Sequence, residues 1–195
     1  MYGELKDIDK EQAMSDRVVM LDEMKRNLSL ENKEYLSQAK AYADNGEYDR
    51  ALETVQRSKD LSGKLKDDQK MVDSLQREGD LLSGDDKYQL AKEKYEEAYS
   101  MSTNTNNVMQ QETLKGKADA MKTVIDGKKL ETNGDTLFAD KKYKEAKKIY
   151  REAIAKYDPL KDSNYLDREK YNKIMEEVRA KEKKAWKKSN WIPFF

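Results

Sequence analysis

Residues 142–159 read KYKEAKKIYREAIAKYDP. Tyr143, Ala146, Tyr150 and Ala153 follow one another at steps of three, four and three, and most residues between them are charged. That period places the four side chains on one stripe of an α-helix. Alanine at two positions lets another backbone come close. Tyrosine at the other two fills the groove beside it, with its hydroxyl expected to reach water. The stretch therefore predicts one helix of a close-packed pair.

The same pattern recurs. LQREGDLLSGDDKYQLAKEKYEEA (75–98) carries Gly79, Leu82, Tyr88, Ala91, Tyr95 and Ala98. LETNGDTLFADKKYKEAKKIYREA (130–153) carries Gly134, Leu137, Tyr143, Ala146, Tyr150 and Ala153 at the same offsets. An earlier copy, YLSQAKAYADNGEYDRALETVQRS (35–58), keeps Ala39, Tyr42, Tyr48 and Ala51 but has Val55 and Ser58 at the last two places. Each copy predicts a helix, a polar break and a second helix, with DNGEYD and SGDDK as the turns between them.

On these residues the chain resembles the tetratricopeptide repeat family. That family has a small residue at its eighth position and a large one at the eleventh. Tyr or Phe follows at the seventeenth, Ala at the twentieth, an aromatic at the twenty-fourth and Ala at the twenty-seventh. Pro159 sits one residue past the family's closing proline. The resemblance covers about half the chain. It implies an all-α solenoid of antiparallel hairpins, because a single hairpin cannot bury its own stripe. It also implies a non-catalytic protein–protein interaction scaffold or adaptor that takes a peptide or helix in a concave face lined by the first helices. The spacing departs from the family. The period there is about 34 residues, whereas Tyr48 to Tyr88 is 40 and Tyr88 to Tyr143 is 55.

The hairpins are accordingly expected at about 31–62, 70–102 and 127–158, with an extra helical insert at about 108–126. Leu114, Ala118, Met121 and Ile125 supply the insert's stripe, which either runs on through Gly127 or kinks there. An N-terminal helix (1–30) precedes the hairpins. Met14, Val18, Leu21, Leu28, Tyr35, Ala39 and Tyr42 share one heptad register, with Lys25 and Asn32 in the vacant slots. This predicts a helix from about Ile8 to Asp44, or two broken near NLSLEN, whose extra turns pack internally or form a docking or dimerisation arm. Residues 161–188, with Tyr171, Val178 and Ala185, read as an amphipathic capping helix. An aromatic tail, 189–195, ends the chain.

Composition bounds the function. Charged residues make up 40% and the apolar set 36%, with mean hydropathy −1.13. Helices that each bury a narrow stripe suit these values; a thick core does not. Lys plus Arg and Asp plus Glu both number 39, yet residues 141–195 hold 17 basic against 9 acidic residues, so the first 140 carry the opposite excess. With no histidine and no cysteine, histidine-based triads, thiolate nucleophiles and the commonest zinc ligands are excluded. The glycines are scattered and form no phosphate loop. No cofactor, metal site or catalytic residue is expected, and no nucleic-acid-binding motif is present. The start lacks the apolar segment of a secretory signal, so a cytoplasmic location is the expectation, whether the chain stands alone or is a regulatory segment of a larger signalling enzyme.

The candidate partner-binding residues on the first helices are Leu36 and Lys40, Gln76 and Asp80, and Glu131 and Asp135. Ser37, Arg77 and Thr132 lie beside them. This set is not the Lys and Asn clamp with which some family members hold an acidic peptide terminus. The second candidate is the tail, KKAWKKSNWIPFF, with Trp186, Trp191, Ile192, Phe194 and Phe195. It has three readings: docking onto its own helices, a linear motif for another protein, or weak contact with an anionic membrane surface. Self-association through the long helices is a further expectation.

Overall fold

The computed structural model describes residues 2–190, with side chains from Lys10 onward. The described residues form seven α-helices: α1 (Tyr2–Asp44), α2 (Tyr48–Leu65), α3 (Asp68–Gly84), α4 (Tyr88–Ser102), α5 (Val108–Ala139), α6 (Tyr143–Tyr157) and α7 (Arg168–Ser189). A single 3-10 turn, Asp158–Leu160, follows α6 and contains Pro159. Each helix packs on the next, and α1 also touches α3.

The three turns predicted within hairpins share one backbone. Gly46, Asp86 and Lys141 have φ of 78°, 58° and 62°. The following amides, of Glu47, Lys87 and Lys142, each donate at 2.9 Å to a carbonyl five residues back, on Tyr42, Leu82 and Leu137. This is a left-handed helix stop that satisfies orphan carbonyls and sends the chain back antiparallel. The starts of α3, α5 and α7 are capped by side chains: Asp67 accepts from Lys70 N, Asn107 from Gln110 N, and Asp167 from Glu169 and Lys170 N.

The repeated stripe is the core. Ala91, Tyr95, Ala98, Ala146, Tyr150 and Ala153 are buried, as are Tyr88 and Tyr157. Tyr143 is half-buried and meets Phe138 edge-on, ring centroids 5.1 Å apart. Glycines on the facing helix seat the rings. A Cβ on Gly79 would lie 2.6 Å from the Tyr95 ring. One on Gly134 would lie 2.5 Å from Tyr150, and one on Gly127 2.3 Å from Tyr157. Gly84 and Gly116 stand in the same relation to Tyr48 and Tyr165. Gly127 does not end its helix. The expected insert at 108–126 is continuous with the third hairpin's first helix, and both are α5.

The first copy's Val55 and Ser58 belong to a different seam. Asn32, 1% exposed, donates to Ser58 O (2.8 Å) and Ser62 Oγ (2.9 Å); Ser58 Oγ meets Ser74 Oγ at 2.8 Å. Ser62 and Ser74 bond back to their own helices. This polar ladder joins α1, α2 and α3, so Asn32 occupies its heptad slot as a buried hydrogen-bonding residue.

One expectation fails outright. The extra turns of α1 do not pack internally, since residues 10–27 are exposed on every face. The helix is not broken near NLSLEN either. α2 ends too soon to cover residues 10–27 of α1, a helix whose first fully buried side chain among the described residues is Asn32. Among the described residues no helix is long and apolar enough to cross a membrane.

Candidate interaction surface

The hydroxyl of Tyr150 does not stand free toward water; like those of Tyr95 and Tyr157 it donates to a carboxylate, whereas half-buried Tyr143 makes no such bond among the described residues. Tyr95 Oη donates to Asp80 (2.8 Å) and Tyr150 Oη to Asp135 (2.7 Å), the two equivalent pairs in the matched copies. Tyr157 Oη donates to Glu131 at 2.6 Å. A lysine from a later helix completes each arrangement. Lys117 of α5 pairs with Asp80, and Lys181 of α7 bridges Glu131 (3.0 Å) and Asp135 (2.9 Å). Burial first, and then the adjacent carboxylate, pushes Tyr95, Tyr150 and Tyr157 well above the usual tyrosine range. They remain neutral donors, and their oxygens are locked against acid groups. The arrangement ties α4 to α3 and α5, and α6 to α5 and α7.

Of the six first-helix candidates, the structure brings three together. Leu36, Gln76 and Asp80 line one cleft of about 320 Å³ with Asp73, Arg77 and Gln110. Gln110 bonds Asp73 (2.9 Å) and Gln76 (3.1 Å), joining α3 to α5 along its floor. Arg77 makes no hydrogen bond or ion pair among the described residues. Lys40 is exposed on α1 but does not line the cleft. Glu131 is 7% exposed and sits with Asp135 under Lys181, away from the other three. The sequence placed all six on one face because it could not tell that α7 runs beside the second half of α5.

A larger cleft, about 580 Å³, was not foreseen. It lies where the α1–α2 turn (Asp44, Tyr48), the α3–α4 turn (Gly84, Asp86, Tyr88), Lys128 of α5 and the start of α7 (Lys170, Lys173, Glu177) converge. Lys170 bonds Asp86 at 2.6 Å across 84 residues of sequence, and Tyr88 Oη donates to the same carboxylate at 2.7 Å. Desolvation raises the Asp86 carboxyl, but those two bonds, with the charges of Lys170 and Lys128, outweigh it and leave the group below its ordinary value. Lys128 and Lys170 also flank the Tyr88 ring, at 5.5 and 6.0 Å from its centroid. No local pattern announces a contact of such separation; SGDDK read only as a turn.

Of the tail candidates, Trp186 is on α7 and 48% exposed. Trp191, Ile192, Phe194 and Phe195 lie outside the described residues. No family model, curated protein or solved structure matches the chain.

Proposed function

We propose that the chain is a non-catalytic, tetratricopeptide-like scaffold that receives a peptide or helix of another protein. The cleft between α1, α3 and α5 is its receiving surface. The observation that carries this reading is the cleft's lining: side chains from three successive odd-numbered helices, with one cation, Arg77, that makes no hydrogen bond or ion pair among the described residues. Two features support the family likeness. The Gly–Tyr seat and the Tyr–Asp bond recur at equivalent positions of the matched copies. In addition, α3 and the first half of α5 run parallel, with Asp73–Gln110 and Asp80–Lys117 both 37 residues apart. That separation is near the family period of about 34.

The surface left for the partner is shorter than a stack of three open hairpins would give. Lys181 already occupies the carboxylates of the third, so the partner is read by Leu36, Gln76 and Arg77. A polar cleft with one apolar wall and a free guanidinium suits a short segment carrying a carboxylate beside an apolar side chain.

The test is peptide display against the full chain, followed by affinity measurement with Arg77→Glu and Leu36→Asp. Selected peptides that carry an acidic residue and lose affinity roughly tenfold with either substitution support the reading. Selection of no peptide, or of peptides indifferent to both substitutions, contradicts it.

A further inference from the structure

The N-terminal half of α1 stands alone. Met14 is 70% exposed, Val18 57%, Met20 68%, Leu21 49% and Met24 54%. At 100° per residue, Met14, Val18, Met20, Leu21, Met24 and Leu28 fall on one broad stripe. It continues the heptad register that buries Asn32 and Ala39 and half-buries Tyr42 against α2 further along the helix. A helix this exposed draws no tertiary support from the monomer, and isolated helices are marginal in water. Its apolar stripe is built for a partner.

We propose that this partner is a second copy of the chain, with the two α1 helices packed in parallel and in register along residues 10–28 and diverging where α2 takes over the stripe. Heptad positions argue for the pairing. Met14, Leu21 and Leu28 fall at d, with Val18 and Lys25 at a. Leucine at d with a β-branched residue at a favours two strands, and one lysine at a fixes register against higher assemblies. The flanks then choose orientation. Arg17 falls at g and Asp22 at e. In a parallel pair each g residue faces the e residue five positions on in the other helix, so Arg17 meets Asp22 of the second copy twice by symmetry. Neither residue is ion-paired within the monomer among the described residues. An antiparallel pair centred on Leu21 would instead set Asp22 beside its own copy, where like charges repel.

The chain has no cysteine, which makes the test clean. Sedimentation equilibrium of the full chain should give a dimer. Val18→Asp should make it monomeric, with helical signal and unfolding midpoint of the remaining fold retained. Arg17→Asp should weaken the dimer roughly tenfold, because two attractive pairs become repulsive. Adding Asp22→Arg should restore it. Met14→Cys should cross-link to its own copy on mild oxidation. A monomer at every concentration overturns the proposal. So does a dimer that ignores the charge swap, or one that fails to cross-link through position 14.

Discussion

Asn32, Ser58, Ser62 and Ser74 join α1, α2 and α3 in an unbroken hydrogen-bonded ladder, with one ring seat, Tyr48 on Gly84, at the far end of α3. Between α3 and α4, and again between α5 and α6, the buried join is made by tyrosine rings lying on glycines, with no such ladder beside them. The ladder is directional and depends on each member keeping its partner. The ring seat is volumetric: it depends on a missing Cβ, and the carboxylate at the ring's far end only fixes its tilt. One chain thus joins helices in two ways, and substitutions should separate them.

The largest separation is expected from pH. Tyr88, Tyr95, Tyr150 and Tyr157 all have folded-state values raised above the ordinary 10, by burial first and a carboxylate second. In the unfolded chain they ionise near 10. Their contribution is complete below that pH and is lost as pH rises beyond it, since the unfolded state then releases more protons. The phenolate signal of these four, isolated as the absorbance lost when they are replaced by phenylalanine, should appear in a single step together with loss of circular dichroism. Independent ionisation of these tyrosines at pH 10 in a folded protein would break the comparison.

Next in size is Tyr150→Ala, which empties a seat and unpairs Asp135 from its hydroxyl donor. Burial of this order costs about 3–5 kcal/mol when removed, measurable by urea unfolding. Asn32→Ala breaks two buried hydrogen bonds in the ladder. Ser58 O retains its bond from Ser62 Oγ, so the loss should be about 2 kcal/mol, with an unchanged denaturant slope.

The sharpest contrast uses one substitution at two places. Alanine in place of glycine gains up to about 1 kcal/mol of helix propensity. At Gly63 of α2 the nearest atom to a new Cβ is Met71 Cε at 3.9 Å, so that gain should appear. At Gly127 the new atom would be 2.3 Å from the Tyr157 ring, and forced repacking of about 1–3 kcal/mol should outweigh it. Thermal unfolding should therefore move up for Gly63→Ala and down for Gly127→Ala.

What the sequence made legible follows from the same contrast. The ring seats repeat, so their spacing marked α3, α4, α5 and α6 and the turns between them. Gly127 read as a point where the helix runs on or kinks because propensity is local; its purpose, like that of Gly134, lies on α6, which propensity cannot see. The ladder left only the trace of Asn32 in a heptad slot and Ser58 where an alanine was expected. The candidate surface was half legible. Leu36, Gln76 and Asp80 converge as their helix positions suggested, while Glu131 and Asp135 do not join them because Lys181 arrives from 46 to 50 residues away. No period in the sequence encodes that.

The account stands on the ring and the missing Cβ being one interaction. A double-mutant cycle of Gly134→Ala with Tyr150→Val, read by urea unfolding, tests it directly. In the wild-type background Gly134→Ala should destabilise, because its Cβ would lie 2.5 Å from the ring. In the Tyr150→Val background it should be neutral or stabilising, a coupling of at least about 1 kcal/mol. The same loss in both backgrounds would contradict the account.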